Sequence, residues 1–162
     1  MYFSYMLITV EIASFAIHAE KNIPLIILKE AGGERTVVIP IFAQEANAIA
    51  IKSLNVSSKK VITVDLVKNV MDSLDGTLDK VVIVDDGEEF SARLHIFSRA
   101  GINVIECGCG DGIALSMRCN APLLIDESMF ANGRDNDPVS GKSLLRTNIS
   151  TTDTIEFGKY YL

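Results

Sequence analysis

Two stretches of this chain run from a β-branched segment into a helix-like pattern opened by an acid. In the first, Val37-Val38-Ile39-Pro40-Ile41-Phe42 leads to Glu45 and then Ala46-Asn47-Ala48-Ile49-Ala50. In the second, Asn103-Val104-Ile105-Glu106 leads through Cys107-Gly108-Cys109-Gly110 to Asp111 and then Ile113-Ala114-Leu115. Laying Glu45 on Asp111 sets Ile39 on Ile105 and Ala48 on Ala114. Facing carboxylates at the starts of two helices can form one shared site. Such oxygens suit a hard divalent cation, and a cation so held can meet phosphates. The same positions also have a purely structural use, because an acid in the first helical turn offsets the helix dipole.

Three further groups have chemical potential. Cys107-x-Cys109 at a helix start, with Cys119, can be a soft-metal or redox site, and a thiol placed there is expected to have a lowered pKa. A structural zinc site usually takes four ligands and the chain has three cysteines, so packing of small residues beneath the helix is the competing reading. Gly108-x-Gly110-x-Gly112 before a helix can cradle an anion through backbone N–H groups, although it matches neither phosphate-loop nor dinucleotide fingerprints. His18 and His95 are the two histidines, and neither stands in a Ser-His-Asp context.

The chain has 162 residues, 48% of them apolar, enough for one domain with a proper core. Its formal charge is −6 and no stretch is strongly basic. Tight nucleic-acid binding through phosphate neutralisation is therefore unsupported unless carboxylates recruit a cation. Three cysteines make no disulfide framework and fit a reducing, cytoplasmic setting. The apolar first 17 residues carry Glu11 and lack a basic start, so they read as a strand rather than a secretion signal. The first five residues read as dispensable, with Met6 as an alternative start. No uncharged apolar run reaches the roughly 20 residues of a membrane span.

Around the acids, the pattern predicts strands over 7–15, 24–29 and 36–41, then a helix with Ala46, Ile49, Ala50 and Leu54 on one face. After a polar loop, Thr63 is expected to cap a second helix that buries Leu66, Val67, Val70, Met71 and Leu74, with Gly76 ending it. The second half predicts strands over 80–84, 90–97 and 102–105, with Phe90, Ala92, Leu94 and Ile96 alternating inward. A helix to about Cys119 follows, then a short extended piece at 123–125 and a brief helix after Asp126. Each half reads strand-strand-strand-helix-helix, which excludes a doubly wound parallel sheet. The expectation is an α+β fold: a duplicated repeat (about 6–76 and 79–131) forming one strongly bent, barrel-like sheet with packed helices. Residues 1–133 form the domain and 134–162 a tail, mobile to about 148.

Five motifs in order resemble a known family: Glu45-Ala46-x-Ala48-Ile49-Ala50, Thr63-x-Asp65-Leu66, Phe90-x-Ala92-x-Leu94, Asp111-x-Ile113-Ala114-Leu115-x-x-Arg118 and Ala121-Pro122. Over residues 6–131 the chain is similar to the bifunctional nuclease domain family. The resemblance implies an α+β fold of two three-strand, two-helix repeats and, from plant members, nuclease action on RNA and DNA. Two motifs depart from the family pattern. Where the family runs Arg-Pro-Leu-Thr-His-Asp-Leu, this chain has Lys60 to Leu66, with Val64 in place of the histidine. Where the family runs Asp-Ala-Arg-Pro-Ser-Asp-Ala, it has Glu106 to Gly112, without the arginine, proline and serine. The carboxylates Glu45, Asp65, Glu106 and Asp111 survive, as does Arg118.

The reading that follows is a metal-assisted nuclease. Glu45, Asp65 and Asp111 hold Mg²⁺ or Mn²⁺ and are the catalytic set, while Lys60, Arg118 and Gly110 contact phosphate of single-stranded RNA or DNA. Arg93 is a further candidate phosphate contact, and Arg118 has the alternative of pairing with an acid. The rival reading is a member that kept the fold and lost the chemistry, serving as a protein-binding or regulatory oligomer. Sheet edges and an apolar C-terminal segment point to self-association.

Overall fold

The β-branched runs become strands and the runs with helical periodicity become helices. The structure is a computed structural model and describes residues 6–18, 21–56, 60–131 and 144–147. Strands β1 (Leu7–His18), β2 (Ile23–Glu30) and β3 (Thr36–Pro40) precede helices α1 (Ala43–Ser53) and α2 (Thr63–Ser73). Strands β4 (Thr77–Asp85), β5 (Phe90–Ser98) and β6 (Gly101–Gly108) precede α3 (Cys109–Cys119). Strand β7 (Leu123–Asp126), the short helix α4 (Ser128–Ala131) and β8 (Leu144–Thr147) complete the described chain.

The strands form one mixed sheet in the order β3-β2-β1-β7-β4-β5-β6. Neighbours are antiparallel except β4 and β7, which run parallel. The long β1 pairs with β7 through Leu7–Val10 and with β8 through Phe15–His18, and a bulge between Ile12 and Ser14 bends it. The α+β class expected from the sequence is present. The barrel-like closure is not seen: among the described residues β3 pairs only with β2 and β6 only with β5, leaving two open edges. The strand β7 lies between α3 and α4 and joins the two halves of the sheet.

One face of the sheet packs under the helices. Ile26, Leu28, Ile39, Val81, Ile83 and Ala92 there meet Ile49 of α1 and Ile113 to Leu115 of α3. The opposite face of β1 and β2 carries a smaller cluster of Ala16, Leu25 and Ile27. Helix α3 sits centrally, because a Cβ at Gly112 would collide with the Ala92 side chain of β5, and glycine permits that close approach. Asn120 ends α3 in the left-handed conformation (φ 51°) ahead of Pro122. Arg35 bonds Glu30 and Glu127 and lies 4.5 Å from the Phe130 ring centre, tying the β2–β3 hairpin to α4.

Two expectations change. Helix α2 does not bury its apolar stripe: Leu66, Val67, Val70 and Leu74 are all exposed, and Val64 and Met71 are the residues turned inward. The reason is position, since α2 packs chiefly on α3 at the rim of the helical layer. Within the expected tail, Leu144–Thr147 forms a strand on β1, while 134–143 and 148–162 lie outside the described residues, as do the first five residues.

Candidate functional site

Three helices carry an acid at the same position, and in two of them it caps the helix. The N-cap residues of α1, α2 and α3 are Phe42, Ile62 and Gly108, which puts Glu45, Asp65 and Asp111 each at the third helical position. An acid there reaches back to the N-cap amide. Glu45 Oε2 accepts from the Phe42 N–H at 2.7 Å, and Asp65 Oδ2 from the Ile62 N–H at 3.4 Å. Phenylalanine and isoleucine have no acceptor to return the bond, so each cap is the carboxylate half of a capping box. Thr63, expected as the cap, is instead the first helical residue of α2.

Glu45 does more than cap its own helix. Its Oε1 accepts from the Asp111 N–H at 3.3 Å, so one buried carboxylate serves the N-termini of α1 and α3. The glycines make room for it. A Cβ at Gly110 would lie 2.5 Å from Glu45 Cδ and 2.6 Å from Oε2. A Cβ at Gly108 would lie 2.7 Å from Glu45 Oε1 and 3.5 Å from Asp111 Oδ2, so the two carboxylates converge on one point. The glycine-rich run therefore does lie around an anion, and that anion is the chain's own Glu45. Asp111 is exposed.

Asp65 belongs to a different constellation. Its Oδ1 lies 2.6 Å from Arg118 Nε. The buried Arg118 also donates to the carbonyls of Ala114 (3.1 Å) and Ala48 (3.0 Å). One guanidinium thus ties α1, α2 and α3 together through the fork geometry arginine offers. Of the two roles open to Arg118 in the sequence, the structure has the pairing with an acid. Val64, at the family's histidine position, is buried in the core. Lys60 is exposed in the loop before α2. Among the described residues, no three His, Cys, Asp or Glu side chains are placed to hold one metal ion.

Beside Glu45 opens a cleft of about 260 Å³. Its walls include Phe42, Glu45, Glu89, Glu106, Cys107 and Cys109, and among the described residues no lysine or arginine. Arg93, on β5, lies 3.7 Å from Glu106 with both side chains well exposed, which makes it a cation at the rim. Phe42 is 76% exposed. Phe42 and Glu89, with Pro40, Phe90 and Ser91, are cleft residues that sequence reasoning did not place at the site. An aromatic residue just before a helix N-terminus was the available signal for the first, and nothing local marks Glu89. The thiols contradict the expected lowering. Burial, reinforced by Asp111, Glu45 and Glu106, pushes Cys107 up to about 11, and burial raises Cys109 and Cys119 as well. Desolvation and neighbouring acids outweigh the helix end, so these are protonated thiols at neutral pH.

Comparison with known proteins agrees with the motif order. The bifunctional nuclease domain matches residues 26–136. Uncharacterized proteins from two strains of Mycobacterium tuberculosis are each 32% identical over 124 residues, covering 75% of this chain and 73% of theirs. The N-terminal acids, the Ala-rich helix and the Arg118 tie thus sit within the matched region, and the chain belongs to the bifunctional nuclease domain family.

Proposed function

We propose that this chain is a nuclease that hydrolyses phosphodiester bonds of single-stranded RNA or DNA at the cleft where Glu45 and Asp111 converge. The observation that carries the reading is that convergence: two carboxylates from two helix starts meet at Gly108, beside an open cleft, in a member of this family. Phe42 offers a face on which an unpaired base can stack, which favours single strands. Arg93, exposed and 3.7 Å from the cleft residue Glu106, is a side chain able to turn to a phosphate.

The acidic walls would repel a bare phosphate. Mg²⁺ or Mn²⁺ resolves this, and the two-acid arrangement suits an ion that takes one or two carboxylates and completes its shell with water and substrate phosphates. Asp111 and Glu45 would hold it, with Asp65 held apart by Arg118 and acting only on the helix frame. Such an ion supplies charge neutralisation and a more acidic bound water. Glu45 fixes the Asp111 backbone, and the Asp111 carboxylate would approach the cleft past Gly108. Three free thiols suit a reducing compartment such as the cytoplasm. Among the described residues no helix is long and apolar enough to cross a membrane.

The test is cleavage of single-stranded RNA and DNA with Mg²⁺, Mn²⁺ or EDTA, beside Asp111→Asn. Metal-dependent cleavage that the variant loses, at unchanged thermal stability, is the expected result. No cleavage above the variant's background overturns it. That result would favour the second reading, a regulatory binding module, which the burial of Val64 at the family's histidine position supports.

A further inference from the structure

We infer that this chain forms a two-fold homodimer in which β6 pairs antiparallel with β6 of a second copy, flanked by α2 from each. The inference is independent of the nuclease reading. It starts from the edge strand β6, eight residues that among the described residues pair on one side only, in unbroken register with β5. Sheet edges are normally blunted by proline, lysine, bulges or short length. The opposite edge, β3, is five residues long and ends in Pro40. Strand β6 has none of these guards. It carries one charged side chain, Glu106, and exposes Ile102 (66%), Val104 (54%) and Ile105 (51%).

The apolar stripe of α2 borders the same end of the sheet. Met71 of α2 and Ile96 of β5 both lie against Gly76. Ile96 pairs with Asn103 of β6, and Ile105, two residues on, pairs with Leu94 on that same face. The exposed Leu66, Val67, Val70 and Leu74 thus belong to the helix layer on the same side of the sheet as Ile105, which is 51% exposed. On the two faces of this sheet edge the β6 and α2 side chains together expose on the order of 700 Å² of apolar-residue surface, against the roughly 800 Å² per partner that a standard interface buries.

A second copy fits because the edge is self-complementary. Antiparallel pairing around a two-fold axis keeps each face continuous, so the axis passes through a residue rather than between two. With the axis at Val104, Val104 meets Val104 of the partner subunit, and the two Glu106 side chains stand at opposite ends, each across from an isoleucine. Ile102, Val104 and the half-exposed Phe97 of both copies then form one strip on the outer face. The same register brings the β5–β6 turn of the second copy beside Cys107, at the wall of the cleft.

The experiment is sedimentation velocity on the full chain over a range of micromolar concentrations, with hydrogen exchange read on β6. The expected wild-type mass is twice 17.6 kDa, with protected β6 amides. Val104→Lys sets two ammonium groups face to face on the axis and should give the single-chain mass, an unchanged circular dichroism spectrum and fast β6 exchange. Should that variant not fold, the α2 pair Leu66→Glu with Val70→Glu, both at exposed positions, takes its place and should also give the single-chain mass. A monomeric wild type, a dimer that survives the folded β6 or α2 substitutions, or a dimer whose β6 amides exchange as fast as in a monomer would overturn the inference.

Discussion

Replacing Arg118 by methionine separates its two candidate roles. Methionine keeps much of the aliphatic stem and removes the guanidinium, so packing is largely preserved while three bonds are lost: to Asp65, to the Ala114 carbonyl and to the Ala48 carbonyl. A hydrogen bond involving a charged group is worth about 1.5–3 kcal/mol. The three are not simply additive here. The Asp65 side chain is 38% exposed and regains water when its partner goes, so that pair is discounted. A net loss of about 3 kcal/mol follows, which for a chain of this size lowers Tm by roughly 6–12 °C. A double-mutant cycle with Asp65→Asn should then show a coupling of about 1–3 kcal/mol, read from urea or thermal melts by circular dichroism. If Tm moved by less than about 2 °C, or if the two substitutions were additive, the helix-tying role would be refuted. Lost nucleic-acid binding at wild-type stability would instead place Arg118 on phosphate.

Gly110→Ala tests the glycine cradle. The new methyl overlaps Glu45, so the carboxylate must leave its bonds to the Phe42 and Asp111 amides, at a cost of about 1–3 kcal/mol measured in the same melts. A variant as stable as wild type would mean that the glycine is not needed for the close approach. The Cys107 thiol gives a pH prediction. Its folded pKa is raised to about 11 from an ordinary 9.0, so the unfolded chain loses its proton first. The corresponding stability is fully present below about pH 9 and falls as pH rises toward 11, and Cys107→Ser should flatten part of that alkaline decline in a pH series of urea melts. Iodoacetamide should correspondingly modify Cys107 far more slowly at pH 8 than it modifies an unhindered thiol.

The sequence is most legible where a structural role is local. Alternation along Phe90 to Ile96 correctly indicates which side chains of β5 face inward, and Asn120-Ala121-Pro122 correctly ends α3, because both signals act within a few residues. The apolar stripe of α2 misleads for the opposite reason. Helical spacing of Leu66, Val67, Val70 and Leu74 says that one face is apolar, but not whether the rest of the chain reaches far enough to cover it. The cysteines mislead in the same way, since a helix N-terminus lowers a thiol pKa only where burial and nearby acids do not prevail. Asp65 and Arg118 are 53 positions apart, and Glu45 reaches an amide 66 positions away. No local spacing encodes either partner.

Three acids at the same helical position end with three different neighbours, and Glu45 and Asp65, unlike Asp111, cap their own helices. Asp65 is held by a buried guanidinium, and Glu45 is held by two backbone amides. Asp111 is exposed, with its Oδ2 3.5 Å from where a Cβ on the cleft residue Gly108 would lie. The two helix ends that converge there each carry roughly half a positive charge, which would ordinarily favour an incoming anion. Glu45 already engages two of those amides, so the glycine run is not a vacant oxyanion hole. Charge developing on a phosphate would have to be met by something else, and the cleft walls contribute acids rather than bases. Arg93 at the rim is a single, solvated cation whose attraction is weakened by its own Glu106 partner. On the proposed nuclease reading, hydrolysis at this cleft would draw on a cation from solution, and cleavage that persisted undiminished in EDTA would argue against the Glu45–Asp111 cleft as its location.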